Sequence, residues 1–266
     1  MYSFESRIRY SETDAQGRLT AEKLIDYFQD CSTFQSEDGG IGVEQLRAQG
    51  LAWIIVSWRV EIRGMPRLGE RILTGTFPYE MKGSLGLRNF FMKTQDGELL
   101  AAANSVWSLV STKTMRPVRI PAGITRAYPL EERLDMQYDA RKITVPASGG
   151  QMRTPVVVKE YHLDTNRHMN NGQYVRIAEG FLPDGQDPAV LRIEYRRQAV
   201  LGDRITPVVF SDTDPDGAAS AAGLQQNRQE EEGTPDGRTG DNLPRTVCIS
   251  LNADDGKPYA ILEAAY

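Results

Sequence analysis

The sequence predicts an α+β fold built twice in tandem. Each copy is a long helix wrapped by an antiparallel sheet, and the two sheets join into one continuous sheet. Two observations carry this expectation. Trp58–Ile72 and Leu191–Ile205 align without a gap, which marks an internal repeat. Within each copy, one helical pattern precedes several strands rich in Val, Ile, Trp and Tyr.

Arg59, Glu61, Arg63, Leu68, Gly69 and Arg71 recur as Arg192, Glu194, Arg196, Leu201, Gly202 and Arg204. Two more pairs follow in the same order. Tyr10–Phe28 parallels Glu160–Ala178, with Asp14 against Asp164, and the strand after Asp96-Gly97 parallels the one after Asp255-Gly256. The matches indicate duplication of a unit of about 110–130 residues. The expected division is an N-terminal unit at 1–125, a linker at 126–155 and a C-terminal unit at 156–266.

The first unit is expected to open with a strand at Arg7–Tyr10. A polar loop leads to a helix with Thr20 as N-cap and Glu22 in its first turn. Leu24, Tyr27, Phe28 and Cys31 then share one helical face. Trp53–Ile62 reads as a long strand, and Asp96-Gly97 as a hairpin turn in which Gly supplies positive φ. Ala122–Pro155 carries Pro and Gly and loses periodicity after Tyr138, as a linker does. In the second unit a strand at Val156–Tyr161 precedes a helix capped by Asn170 or Asn171, with Tyr174, Ile177, Ala178 and Phe181 as its apolar stripe. Leu191–Tyr195 is the matching strand, and Asp255-Gly256 the matching turn. Ser211–Arg245 is polar, includes Glu230-Glu231-Glu232, has no counterpart in the first unit and reads as a flexible insert. Pairing the two units edge to edge would protect their open strands.

Composition narrows the function. The chain has 266 residues, 40% hydrophobic and 25% charged, with a net charge of −5. That suffices for a core without disulfides. No apolar run is long enough for a membrane span. The start, Met1-Tyr-Ser-Phe-Glu, lacks the basic and apolar regions of a signal peptide, so a cytoplasmic location is expected. The acidic balance argues against broad nucleic-acid binding. Two cysteines, Cys31 and Cys248, form neither a disulfide framework nor a metal cluster, and no metal or organic cofactor is expected.

The repeat also shows where the units differ. The first loop reads Asp14-Ala-Gln-Gly-Arg-Leu-Thr20 and the second Asp164-Thr-Asn-Arg-His-Met-Asn170. Asn166 and His168 stand where the first unit has Gln16 and Arg18. This asymmetry nominates the second unit for catalysis and the first for binding. His168 can act as base or proton carrier near neutral pH. Asn166 can orient a substrate carbonyl or the imidazole, and Asp164 can hold either the loop or the ring tautomer. Backbone N–H groups at Asn170, Asn171 and Gly172 would suit the oxyanion of an acyl-transfer intermediate. Glu194 is an alternative acid or base, but Glu61 stands at the same point of the unit that lacks His, which favours a partner for a neighbouring Arg. His162 reads as structural, at the end of a strand.

The segment His162-Leu-Asp-Thr-Asn-Arg-His-Met-Asn-Asn171 resembles the D-x-N-x-H-x-N-N segment of the acyl-acyl carrier protein thioesterases, the double hotdog enzymes of plants and bacteria. Trp53–Arg63, the strand ending at Trp107 with Lys113-Thr-Met-Arg116, and Glu194-Tyr-Arg-Arg197 resemble family segments in the same order. The resemblance implies two tandem hotdog folds and hydrolysis of a fatty acyl thioester on the phosphopantetheine arm of acyl carrier protein (ACP). It matches Asp164, Asn166 and His168 to the family's catalytic residues. It also implies that the first unit holds the acyl chain, with Trp53 and Trp58 lining the tunnel.

The sequence departs from the plant enzymes after Tyr195-Arg-Arg197, where Gln198-Ala199 replaces Glu and Cys. A cysteine nucleophile is therefore disfavoured. Direct water attack is expected instead, with His168 taking the proton and Gln198 positioning the water. The alternatives are an acyl-CoA thioesterase with the same site and a non-catalytic acyl-thioester binding module. ACP is acidic, so docking would use a local basic patch: Arg116, Arg119, Arg126, Arg141 and Lys142, or else Arg192, Arg196 and Arg197. A monomer and a homodimer are both compatible with tandem fusion.

Overall fold

The computed structural model describes residues 1–183, 186–211 and 246–266. Its elements in chain order are β1 (Tyr2–Arg7), α1 (Ala21–Asp38), α2 (Val43–Ala48), β2 (Leu51–Ile62), β3 (Arg71–Lys82), β4 (Leu85–Thr94), β5 (Leu99–Ser111), α3 (Ala122–Ala127), β6 (Gln151–Met152), β7 (Val156–Val157), α4 (Asn171–Glu179), β8 (Val190–Tyr195), β9 (Arg204–Ser211), β10 (Thr246–Asn252) and β11 (Pro258–Ala265).

The strands form one antiparallel sheet in the order β1-β3-β4-β5-β2-β8-β11-β10-β9-β6, with β7 also paired to β9. The expected α+β architecture of two helix-wrapping sheets fused into one is what the chain adopts. The junction is the β2–β8 pair, where Trp58 faces Ile193, Arg59 faces Arg192 and Val60 faces Leu191. Arg59 and Arg192 are equivalent in the repeat, so a pseudo-twofold axis passes between them. The two units share one core: Leu24, Ile25 and Phe28 of α1 join Tyr174, Val175 and Ala178 of α4 in the same buried cluster. Burying such side chains contributes roughly 1.5–3 kcal/mol each.

Thr20 caps α1 by accepting from the Lys23 N–H at 3.2 Å, and Asn170 rather than Asn171 caps α4. Leu24, Tyr27, Phe28 and Cys31 are all buried. The α4 helix stops at Glu179, so Phe181 lies beyond it and packs on the core from outside. The Asp96-Gly97 and Asp255-Gly256 turns connect β4 to β5 and β10 to β11, with φ of +90° at Gly97 and +74° at Gly256.

The entry strands differ from expectation. Arg7–Tyr10 is the end of β1 followed by a 3₁₀ turn at Tyr10–Glu12, and Val156–Tyr161 is β7 followed by a 3₁₀ turn at Glu160–His162. In each unit a side chain folds back on the backbone and pulls the chain out of the sheet. Glu12 Oε2 accepts from the Arg9 N–H at 2.8 Å, and His162 Nδ1 accepts from the Lys159 N–H at 3.1 Å. The segment read as linker carries α3 at its start and β6 near its end. Between them, Gln137 and Asp139 are bonded to Arg59, and the Ile143 N–H donates to buried Glu194 at 2.9 Å. The expected insert Ser211–Arg245 lies outside the described residues apart from Ser211, which ends β9.

Candidate active site

The loop ahead of α4 is a tight turn built by Asp164. The Asp164 N–H donates to the His168 carbonyl at 2.7 Å, and the Arg167 N–H to the Asp164 carbonyl at 3.0 Å. Asp164 Oδ1 accepts from the Asn166 N–H at 2.8 Å and from the His168 N–H at 3.2 Å. The loop ahead of α1 is the same turn: Asp14 Oδ1 accepts from the Gln16 and Arg18 N–H groups at 2.9 and 2.8 Å. The two turns therefore differ in what they display rather than in how they are built. In the first unit the turn presents Arg18, bound to Asp14 at 3.0 Å and to Asp187 at 3.3 Å. In the second it presents His168, a half-buried imidazole whose buried Nδ1 has no partner among the described residues. Of the two roles open to Asp164, the geometry gives it the loop, not the ring.

The turn is pinned from behind. His168 pairs with Val200, the Met169 N–H donates to the Ala199 carbonyl at 2.9 Å, and the Ala199 N–H donates to the Tyr174 hydroxyl at 2.9 Å. Gln198 lies on this neighbouring segment, exposed, with no side-chain hydrogen bond to His168 among the described residues.

At the start of α4, Asn170 Oδ1 accepts from the Gly172 N–H at 2.8 Å, so that amide is already satisfied. Asn171 Nδ2 donates to Gln29 Oε1 of α1 at 2.8 Å, and the Asn171 carbonyl accepts from the Tyr195 hydroxyl at 3.1 Å. A Cβ on Gly172 would lie 2.5 Å from Asp26 Oδ1, so glycine permits the close approach of α1 and α4 here.

Asn166 stands at the outer end of the turn, exposed, and accepts from Arg47 Nη2 at 3.3 Å. Together they rim a cavity of ≈150 Å³ that runs into the first unit between α1, α2 and the sheet. Trp53, Gly86, Arg88 and Trp107 are among its walls. The Trp53 ring packs on Gly86, where a Cβ would sit 3.3 Å from it. Trp58, expected in the tunnel, is instead a core residue 2% exposed, packed on Phe28 and Phe90 with centroids 6.1 and 4.9 Å away. The bulge between Ile55 and Ser57 keeps it on the same face of β2 as Trp53, since their partners on β5 are Ser105 and Leu109, four residues apart; Trp58 sits further along the strand, over the core rather than the cavity. Arg47 escapes sequence reasoning, and Trp107, which the sequence places on a matched strand as a core residue, turns out to line the cavity. Arg88 left a signal, a charge inside the apolar run of β4.

The remaining candidates are tied down. Glu194 is buried and bound to Arg196 at 3.0 Å and to the Ile143 N–H, the structural role favoured for it. His162 performs in the second unit the backbone capping that Glu12 performs in the first, and burial beside Arg176 and Lys159 lowers its pKa. Burial pushes the Cys31 and Cys248 thiols up to about 12, so neither supplies a thiolate near neutral pH. Arg192, Arg196 and Arg197 are engaged by Glu263, Glu194 and Asp255. Arg116, Arg119, Arg126, Arg141 and Lys142 are exposed. Among the described residues no cluster of His, Cys, Asp and Glu could hold a metal, and no helix is long and apolar enough to cross a membrane.

Residues 1–128 match the acyl-ACP thioesterase N-terminal domain, and residues 148–235 match the C-terminal domain of the same family. A chloroplastic acyl-acyl-carrier-protein hydrolase (FATB1) of Cuphea viscosissima is 23% identical over 237 residues, covering 80% of this chain and 55% of its own length. A chloroplastic palmitoyl-acyl carrier protein thioesterase of Cuphea hookeriana is 24% identical over 208 residues, covering 72% and 50%. The chain thus spans about half the length of these curated relatives. Among solved structures, an acyl-ACP thioesterase from Bacteroides thetaiotaomicron superposes with a TM-score of 0.78 at 18% identity, covering 99% of this chain and 96% of that one. The 12:0-ACP thioesterase from Umbellularia californica gives 0.77 at 15% identity, covering 99% and 92%.

Proposed function

The chain belongs to the acyl-ACP thioesterase family, and from that premise we propose that it hydrolyses fatty acyl-ACP to free fatty acid and holo-ACP. The observation that carries this reading is the continuity of the cavity of the first unit with Asn166, two residues from His168 on the loop of the second. An acyl chain in that cavity would leave its thioester at the rim.

At the rim the chemistry needs few groups. Water attacks the thioester carbonyl carbon, and His168 takes its proton. The C–O bond forms as the C–S bond breaks, and the thiolate regains a proton from the imidazolium. Asn166, with its side chain held by Arg47, orients the carbonyl. Asp164 acts by shaping the turn that presents both residues. Gln198 would orient water, since an amide is too weak a base to share the proton transfer. Asn170 and Asn171 fix the start of α4 and its contact with α1.

ACP would dock on the exposed Arg116, Arg119 and Arg126, which lie in the chain between the cavity residues Thr112 and Tyr128. Release of thiol from acyl-ACP and acyl-CoA series, followed with a thiol reagent, tests the proposal. A kcat/KM higher on ACP thioesters and falling with salt is expected. A preference for CoA would reassign the carrier, and tight binding without thiol release would overturn hydrolysis.

A further inference from the structure

Arg88 is an unusual residue to find in the wall of an acyl cavity. It is 6% exposed, projects from β4 and lines the cavity with Ser32, Ser36 and Tyr128. Its Nη1 donates to Gln35 Oε1 and to Thr76 Oγ1. Its guanidinium lies over the rings of Tyr128 and Phe90, 5.3 and 5.9 Å from their centroids. Among the described residues it forms no ion pair, and its Nε and Nη2 hydrogens have no acceptor. A guanidinium has five N–H donors in a rigid fork, so most of its capacity is unused. Burial lowers its pKa to about 10, which leaves it charged at neutral pH. A cation in an apolar wall with no carboxylate beside it is costly unless a polar group in the cavity meets its open donors.

The polarity around it is local. Ser36 Oγ and the Tyr128 hydroxyl are 2.7 Å apart beside it, whereas Ile41, Leu46, Leu51, Trp53, Met81 and Leu87 supply apolar wall elsewhere. Along β4, Gly86 and Arg88 line the cavity and the next residue on that face, Phe90, is in the core, so Arg88 marks the inner end, whereas the rim residues Asn166 and Arg47 are exposed. A plain hydrocarbon chain would end against this polar patch and leave its donors unpaired.

We infer that the cavity is built for an acyl chain that carries a hydrogen-bond acceptor remote from the thioester, a hydroxyl or a carboxylate, received by the free face of Arg88. The inference rests on the thioesterase reading above and specifies its substrate class. A cavity of ≈150 Å³ matches one known to hold benzene, which suits a chain end of about six carbons. Hydrogen bonds to a charged group discriminate by about 10- to 100-fold.

The test compares octanoyl-ACP with 8-hydroxyoctanoyl-ACP and 7-carboxyheptanoyl-ACP on the full chain, reading kcat/KM for each. An oxygenated-to-plain ratio of about 10 or more is expected, and the arm that gives it identifies the acceptor. Arg88→Met should bring the ratio to one or below, and Arg88→Lys should keep part of the preference for the carboxylate. A wild-type ratio below one overturns the inference, whether or not the variants fold, and leaves plain acyl-ACP hydrolysis standing. If none of the three thioesters is cleaved, the thioesterase reading fails instead. Binding of the matching non-hydrolysable thioethers then decides: a preference for the oxygenated analogues that Arg88→Met abolishes supports the inference, and equal binding overturns it.

Discussion

Arg59 and Arg192 face each other across the β2–β8 seam, and Asp139 of the connecting segment stands between them, 2.7 Å from Arg59 Nη1 and 3.7 Å from Arg192 Nε. Like charges directly opposite in a sheet repel, so the carboxylate offsets a repulsion that the pseudo-twofold axis imposes. Asp139 is partly exposed, which limits its contribution to about 1 kcal/mol. Asp139→Ala should lower Tm by about 2–4 °C, and Arg192→Gln in that background should recover part of the loss. An unchanged Tm in Asp139→Ala would remove the carboxylate from the account of the seam.

The helix contact carries a pH dependence. Glu179 of α4 accepts from the Ala21 N–H at the start of α1, and burial raises its carboxyl from 4.5 to about 7. The folded state therefore holds this proton over a range where the unfolded chain has lost it. The associated stability is complete below about pH 4.5 and disappears as pH rises through about 7. The change is of order 3 kcal/mol. Denaturant midpoints from pH 4.5 to 8 should fall for the parent chain more steeply than for Glu179→Gln. Parallel curves would show that Glu179 titrates normally.

His168→Ala should reduce kcat by about 10²–10⁴-fold, the usual value of a positioned general base. Near-normal turnover would exclude it from proton transfer.

Asp164 works through its Oδ1, which holds two backbone N–H groups. Asp164→Asn keeps that acceptor and should retain most activity, whereas Asp164→Ala should lose activity together with loop protection in hydrogen exchange. Equal losses in both variants would instead point to the carboxylate charge acting on the substrate.

Arg167 sits at φ +63°, where the first unit has Gly17 at +74°. A left-handed conformation costs a non-glycine residue about 1–2 kcal/mol, and the Arg167–Glu160 contact is too exposed to repay it. Arg167→Gly should raise Tm without altering the turn. A lower Tm would mean that the guanidinium has a partner worth more than the strain.

Most of this architecture was legible because the repeat was. Arg59/Arg192 and Asp14/Asp164 fixed the duplication, and the Thr20 cap and the two Asp-Gly turns followed from local chemistry. The entry strands end earlier than their composition predicts because Glu12 and His162 bond back to the backbone, which propensity does not register. The cavity was less legible. Trp58 cannot be separated from Trp53 by residue type: the bulge in β2 puts both on one face, and only their position along the strand places Trp53 at the cavity and Trp58 in the core. Arg47 reaches Asn166 only through tertiary packing, from a helix that has no counterpart among the described residues of the second unit.

The covalent fusion at the β2–β8 seam has a consequence for how such a protein can change. A symmetric homodimer writes every substitution twice, once on each side of its axis. Here Arg18 and His168, Gly17 and Arg167, and Gln29 and Glu179 occupy equivalent places with different chemistry. One turn can close on an ion pair while its twin displays an imidazole. Half a site has become a heritable unit, free to drift while the other half is held.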